Sequence, residues 1–181
     1  MTDTKERIAK VEVILKKYDA PVLKYFNPGL AREAIIEFFN ENKISLNPAL
    51  IALYEWHNGV QDSNVMQALL EIMPMGMFYS LDIMIKDRAM INGWNFMEIK
   101  GDFLPLLGSG EDDIYLLNNS SGEIFYVCPA ANIYGELKFK SIDSMLDFII
   151  DCYEEEIFKI DPINGLEVNE DEYHKRIELY R

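Results

Sequence analysis

The sequence is poor in the residues that most catalytic and metal sites use. It contains two cysteines and two histidines in 181 residues. The cysteines, Cys128 and Cys152, cannot build a disulfide framework, and they lack the close spacing of a zinc ligand pair. We therefore expect two free, buried thiols in a reducing compartment, because cysteine is among the residue types most often buried.

Motifs of phosphate, acyl-transfer and zinc chemistry are also missing. The chain has no G-x-x-x-x-G-K-[ST], G-x-S-x-G or H-E-x-x-H segment. The stretch GSGEDD at residues 108–113 has the glycines of a phosphate loop but no lysine, and its acids would repel a phosphate. From the residues we expect no enzyme activity, no metal and no cofactor.

Long apolar runs are absent as well. No window approaches the roughly 18 apolar residues that a membrane-spanning helix needs, and the opening MTDTKERIAK has no apolar segment behind its basic residues. We expect a soluble, cytoplasmic protein with a single domain over residues 1–181, since a chain of this length can bury one sizeable core.

Basic residues are scarce in the second half of the chain. The sequence has 17 Lys and Arg against 31 Asp and Glu, a net charge of -14. Residues 1–90 hold 10 basic and 12 acidic side chains, net -2, whereas residues 91–181 hold 7 and 19, net -12. Such a field repels nucleic acid and anionic lipid and accelerates encounter with basic proteins. Direct nucleic-acid or membrane binding is disfavoured, and a basic protein partner is favoured.

Apolar spacings of three and four residues predict helices on both sides of a central strand region. The predicted helices begin at or near Glu6, Asn27, Asn47, Ser80, Ser141 and Asn169. Asn followed by Pro is typical of a helix start, and Asn58-Gly59 predicts the end of the third helix. On that helix His57 falls on the core side.

The pattern changes to strands between residues 103 and 127. The segments FLPLL, DIYLL and EIFYV are nearly continuous in apolar residues, which predicts strands covered on both faces. The turn composition of Asn118 to Gly122 predicts that the second and third of these strands form an antiparallel hairpin.

A Met-rich segment at residues 65–79 is predicted to be irregular or to contain a short strand. Its proline and glycine, Pro74 and Gly76, interrupt any regular period. The methionines can fill gaps in the core or form an adaptable binding surface, and the core role is favoured.

Two acidic clusters are the candidate partner-binding residues. They comprise Glu111, Asp112, Asp113, Glu154, Glu155 and Glu156. The first three follow a predicted strand; they lack the alternating ligands of a calcium loop, and adjacent strand residues face opposite sides, which disfavours an acid/base pair. The last three fall at the C-terminal end of a predicted helix, where the helix dipole disfavours anions, so an electrostatic partner is the better reason for them.

His57 and the two tryptophans are the remaining candidates. A pairing of His57 with Cys128 or Cys152 would be a nucleophile and base, but residues this scattered meet that condition by chance. We favour a histidine that packs or caps at the end of a core helix. Trp56 or Trp94 could anchor a partner, with a core role favoured for Trp56.

Several segments, taken in order, resemble the SUKH superfamily, which includes bacterial toxin-immunity proteins and a fungal regulator of cell-wall synthesis. They are LNPALIALYEWHNG at residues 46–59, MFYSLD at 77–82, FLPLLGSGEDDIYLLNNSSGEIFYV at 103–127, and SIDSMLDFIIDCYEEEIF at 141–158 with the acidic tail helix. In one place the chain departs from the family pattern, because Asn47 stands between the leucine and Pro48.

The resemblance implies an α+β fold in which a mixed, largely antiparallel β-sheet is flanked by N-terminal, middle and C-terminal helices. It also implies a protein without catalytic residues that binds and neutralises a cognate toxin domain in competition between bacteria. A basic nuclease is the toxin that suits the charge. The alternative is a non-enzymatic scaffold or regulatory module like the fungal relative. A hydrolase built on His57, or on Asp112 with Asp113, is a third hypothesis.

Overall fold

The computed structural model describes residues 3–61, 64–91, 93–94, 101–109 and 113–181. Its helices are α1 (Thr4–Lys17), α2 (Arg32–Glu41), α3 (Pro48–Trp56), α4 (Leu81–Ile91), α5 (Ile142–Glu154) and α6 (Glu170–Ile177). Its strands are β1 (Phe26–Pro28), β2 (His57–Val60), β3 (Met77–Phe78), β4 (Phe103–Gly108), β5 (Ile114–Asn118), β6 (Ile124–Cys128), β7 (Ile133–Phe139), β8 (Phe158–Asp161) and β9 (Gly165–Val168). The short β3 lies in the Met-rich segment, where an irregular course or a short strand was predicted.

Strands β3 to β7 form one five-stranded sheet in chain order, and each neighbouring pair is antiparallel. The pairs β1–β2 and β8–β9 are separate two-stranded sheets. The α+β fold with a largely antiparallel sheet is therefore confirmed. Among the described strands every pairing is antiparallel, so the parallel pair that a mixed sheet would contain is not found there.

The central strands are covered on both faces, as their apolar runs predict. All of β4 is buried. In β5, Tyr115 and Leu117 belong to the main core, whereas Ile114 and Leu116 belong to a smaller cluster on the other face. Alternation along a strand sends successive side chains to opposite faces, so an unbroken apolar run needs cover on both.

Helices α1 and α5 bear the predicted apolar stripes and are joined by ion pairs. The guanidinium of Arg7 lies 2.8 Å from Asp147 and 3.4 Å from Asp143. Ser141 caps α5 as predicted, because its hydroxyl oxygen accepts the backbone N–H of Ser144 at 3.0 Å. None of the described helices has the length and apolar character needed to cross a bilayer.

The predicted start of the second helix, at Asn27-Pro28, is wrong. Both residues lie in β1, and α2 begins only at Arg32. The Asn27 side chain donates to the carbonyl oxygen of Asn58 at 3.0 Å, and Pro28 pairs with His57 across β1–β2. A hydrogen bond between distant segments thus replaces the local cap that Asn-Pro suggests.

The role predicted for Asn58-Gly59 also needs correction. Helix α3 ends at Trp56, and His57 is already extended, with φ -146° and ψ 144°. Asn58 Oδ1 accepts the backbone N–H of Leu81 at 3.0 Å, so it caps α4 instead of closing α3. Gly59 has φ 68°, and a Cβ there would lie 2.2 Å from the backbone nitrogen of Ser80. The pair allows β2 to pass close against the start of α4.

The hairpin β8–β9 was not predicted, although its turn chemistry is visible in the segment IDPING. Asp161 accepts the backbone N–H groups of Ile163 at 2.8 Å and Asn164 at 2.7 Å, and these bonds lower the pKa of the Asp161 carboxyl. This hairpin connects α5 with α6, where many of the acidic residues lie.

Candidate functional site

His57 packs in a polar and aromatic cluster between α1, β1 and α3. Its ring stacks on Phe26 with centroids 4.2 Å apart. A backbone carbonyl only accepts, so ring nitrogen Nδ1 is the donor to Asn27 O at 3.0 Å. Nε2 lies 3.7 Å from Glu12 Oε2. The prediction that His57 packs or caps at the end of the helix is confirmed, because its ring packs on Phe26 and its backbone N–H, as the C-cap of α3, donates to Leu53 O.

Trp56 and Trp94, the predicted candidate anchors, are both half-buried. Trp56 Nε1 donates to Glu12 at 2.8 Å, and its ring packs against Phe26 and Phe78. Trp94 packs against the smaller core cluster. Each indole ring therefore contributes to packing within the chain.

The predicted cluster Glu154, Glu155 and Glu156 lies at the end of α5, and all three residues are exposed. Glu155 pairs with Arg176 of α6, and Glu156 lies 3.4 Å from Lys159. The unfavourable helix-end position of these acids is thus offset by cations of the same chain. Only Glu154 of the three has no ion pair with a described residue.

The predicted turn cluster is only partly visible, because Glu111 and Asp112 lie outside the described residues. Asp113 is half-buried just before β5. Its carboxylate accepts hydrogen bonds from the Tyr126 hydroxyl and, at 3.4 Å, from Ser109. Burial and the bond to Asp113 raise the pKa of Tyr126 well above its usual range. Neutral donors therefore hold this carboxylate in place.

An open cleft of about 550 Å³ lies beside β3, the edge strand of the main sheet. Its lining is largely apolar and includes Val60, Leu70 and Met77. A second cavity of about 340 Å³ adjoins it, because Gln67 and Ser109 line both. We call the two together the edge cleft. Concave, largely apolar surfaces with a few polar groups are the usual form of binding sites.

Glu71 is the most buried acid of the edge cleft, with 9% of its surface exposed. Burial raises the pKa of its carboxyl group. Hydrogen bonds from Gln67, at 2.5 Å, and from the backbone of Met75 oppose this rise, and the charge of Asp113 adds to it. Glu71 and Asp113 thus share one cavity, with their charges close enough to interact.

Asp87 of α4 lines the other part of the edge cleft. Burial raises its pKa, and the neighbouring charge of Lys86 acts in the opposite direction. Among the described residues, the carboxyl groups with a clearly raised pKa are Glu71 and Asp87, and both line this cleft. Perturbed carboxyl groups gathered in a cleft are a common mark of functional sites.

The two cysteines are free and buried, as predicted. Burial raises the pKa of Cys128, and a hydrogen bond with Asp113 adds to the rise. Burial raises the pKa of Cys152 to about 12. Both thiols are therefore poor nucleophiles, because the thiolate is the reactive form.

The sequence did not point to Glu71 and Asp87 as site residues. A usable signal was the isolated acid in LLEIMPMGM, where Glu71 is the only charged residue of an apolar segment. Of the methionines in this region, Met73 and Met84 are core residues, as favoured, whereas Met66 and Met75 are 54% and 44% exposed. Met75 lines the edge cleft, so its side chain is at the surface there.

The sequence matches no protein-family model, and no curated protein is significantly similar to it. Within the described part of the chain, no three His, Cys, Asp or Glu side chains gather as a metal site requires. Among the described residues, the edge cleft and the acidic C-terminal region are the surfaces with the most distinctive chemistry.

Proposed function

We propose that this chain is a cytoplasmic immunity protein, which binds a cognate bacterial toxin domain and blocks it. The motif resemblance to the SUKH superfamily supports this proposal, and so does the net charge of -12 over residues 91–181. The toxin domain that fits best is basic, as a nuclease domain is where it grips its substrate.

The single observation that carries the proposal is the unbalanced charge of the C-terminal region. Residues 155–181 contain eight acids and only four Lys or Arg. Each of those cations lies against an acid of the same chain: Lys159 at Glu156, Lys175 at Glu172, Arg176 at Asp151 and Glu155, and Arg181 at Glu136 and Glu178. The cations are thus neutralised locally, and the surplus of acids faces solvent.

The proposed mechanism is steered encounter followed by occlusion. The surplus negative field accelerates approach of a basic domain, and acidic side chains then pair with the cations that otherwise grip nucleic acid. Asp113 and Glu154 to Glu156 stay predicted contact residues, together with Glu111 and Asp112 on sequence grounds. Steering of this kind weakens at high ionic strength.

Co-expression with the toxin domains encoded beside its gene tests the proposal. We expect cells carrying a toxin domain to grow only when this chain is present, and the two proteins to co-purify. If deletion of the gene leaves cells indifferent to every such toxin, the immunity proposal is wrong. A stable complex with an endogenous protein would then favour the regulatory scaffold instead.

Charge reversal on the C-terminal surface tests the steering step. Glu154 and Asp171 are exposed and form no ion pair with described residues, so their reversal leaves the pairs of Arg176 and Lys159 intact. We expect Glu154→Lys with Asp171→Lys to slow association several-fold at low salt and to flatten its salt dependence. The matched control is Glu33→Lys with Glu37→Lys on α2, which makes the same charge change elsewhere. An equal loss in both variants would assign the effect to net charge alone.

A further inference from the structure

The edge cleft has the lining that an amphipathic cationic side chain requires. Leu70 and Met77 offer apolar surface, and Glu71 and Asp113 offer carboxyl groups in the adjoining cavity. Lysine and arginine combine an apolar stem with a charged head, and the stem packs on apolar surface while the head finds a polar partner. The two parts of the cleft match those two parts of the side chain.

We propose that the edge cleft receives a lysine or arginine side chain of the basic partner, with its stem over Leu70 and Met77 and its head between Glu71 and Asp113. This inference rests on the proposed function, because it identifies where the partner is anchored. It also moves the anchor from the exposed acids at the end of α5 to a recessed site.

Charge in the cleft supports a cationic occupant. Among the described residues, the cleft is lined by three acids, Glu71, Asp87 and Asp113, and by one base, Lys86. None of the three acids forms an ion pair with a described residue. A recessed carboxylate that is held only by neutral donors gains most from an incoming cation, because a charge-assisted hydrogen bond strengthens as water is excluded.

The geometry of the acids favours one bound head over two separate contacts. Glu71 and Asp113 line the same cavity, and Asp113 is fixed by the Tyr126 hydroxyl while Glu71 is fixed by Gln67. The cavity of about 340 Å³ leaves room for a lysine or arginine head group. Prepositioned carboxylates reduce the ordering cost of binding.

Methyl NMR of the full chain with labelled methionine tests the cleft without any toxin. The probes are Nα-acetyl-lysine methylamide and Nα-acetyl-arginine methylamide, and the control is Nα-acetyl-norleucine methylamide, which keeps an apolar stem without a charge. We expect the Met77 and Met75 methyl signals to move and saturate with a Kd in the millimolar range for at least one cationic probe. Equal shifts with norleucine, or no saturable shift with either cationic probe, would overturn the proposal.

A variant pair separates the cleft from the general acidic field. Glu71→Gln keeps the shape and the acceptor for Gln67 but removes the charge, and we expect it to weaken the cationic probe at least three-fold. Asp113→Asn is the second cleft variant, with folding checked by thermal unfolding. The control Glu33→Gln removes one exposed charge on α2 and should leave the probe affinity unchanged. Equal weakening by the control would show that the field, not the cleft, binds the probe.

The same variants distinguish failure of this inference from failure of the proposed function. If the wild-type chain binds the cationic probes in the cleft but protects against no adjacent toxin, the immunity proposal fails and the site stands. If the chain protects and Glu71→Gln protects equally with unchanged toxin affinity, the cleft is not the anchor and the function stands.

Discussion

The acids at the end of α5 and the acids of the edge cleft are both negative, but the chain treats them differently. The exposed Glu155 and Glu156 face Arg176 and Lys159 of their own chain. The recessed Glu71 and Asp113 are met by neutral groups, the amide of Gln67 and the hydroxyl of Tyr126. The chain thus supplies cations to the exposed Glu155 and Glu156, whereas Glu71 and Asp113 have only neutral partners among the described residues.

This difference indicates which acids are better explained by a binding partner than by the fold itself. Exposed ion pairs contribute little, and surface acids with a cation nearby are consistent with solubility alone. A buried carboxyl group costs free energy when it ionises unless a partner compensates it. Glu71 has a raised pKa and no ion pair with a described residue, so a partner in trans explains it better than folding does.

The largest effect should come from breaking the C-terminal network at its shared cation. Arg176 lies between Asp151 and Glu155, and its side chain is 22% exposed. We expect Arg176→Ala to lower the free energy of unfolding by about 1–2 kcal/mol, because two nearby acids lose a partly buried partner. Urea unfolding measures this.

Lys175→Ala is the matched control for that variant. Lys175 pairs with Glu172 at 2.7 Å on the same helix, but its side chain is 70% exposed. We expect a much smaller loss than for Arg176→Ala, as for other exposed pairs. Equal losses in the two variants would mean that α6 gains no particular support from Arg176.

The next effect should be a gain in stability in the edge cleft that is not found in the exposed region. Glu71→Gln should raise the free energy of unfolding at neutral pH by about 1 kcal/mol, because it removes a buried charge and keeps an acceptor. Glu172→Gln makes the same exchange in the exposed region, and there we expect no gain, since Glu172 pairs with Lys175. A lower free energy of unfolding in Glu71→Gln would contradict this expectation and would mean that Glu71 stabilises the fold.

The pH dependence of that gain follows from the direction of the pKa shift. Burial raises the folded-state pKa of Glu71 above its unfolded value. Its protonated form thus stabilises the fold fully below the unfolded pKa, and this stability is lost as pH rises through the folded pKa. The advantage of Glu71→Gln should therefore vanish in acid and grow toward neutral pH. Glu71 also interacts with Asp113, Tyr115 and Tyr153. Because the charge of Asp113 raises the pKa of Glu71, Asp113→Asn should reduce the gain that Glu71→Gln gives.

Local patterns predicted the elements well where local forces decide them. The continuous apolar runs of β4 and β5 require cover on two faces, and Ser141 and Asn47 cap the helices that follow them. Asn58 shows why the rest was missed. Asn followed by Gly is typical of the end of a helix, yet the Asn58 side chain caps α4, a helix more than twenty residues later in the chain. Only the tertiary arrangement decides between those two partners.

The acidic character of the candidate site could be predicted from the sequence, but its position in the fold could not. Counting acids identified the C-terminal half, but it could not show that Arg176 and Lys159 already face Glu155 and Glu156. Asp113 was predicted, and it does line the edge cleft. Glu71 was missed because a single acid in an apolar segment matches no known motif, and its burial in the fold is what marks it.

The smallest effect should be the response to salt, and it separates the two kinds of acid most directly. Raising ionic strength from ~0.1 M to ~1 M shortens the Debye length from ~10 Å to ~3 Å. The loss caused by Lys175→Ala should then shrink, since this pair is exposed and screened. The gain from Glu71→Gln should change less, because a cost of burial is not screened by ions in solvent. Comparing differences between variants in urea cancels the general effect of salt on folding. If the gain from Glu71→Gln fell as steeply as the loss in Lys175→Ala, Glu71 would be a screened surface acid like those at the end of α5, and the distinction between the two regions would not hold.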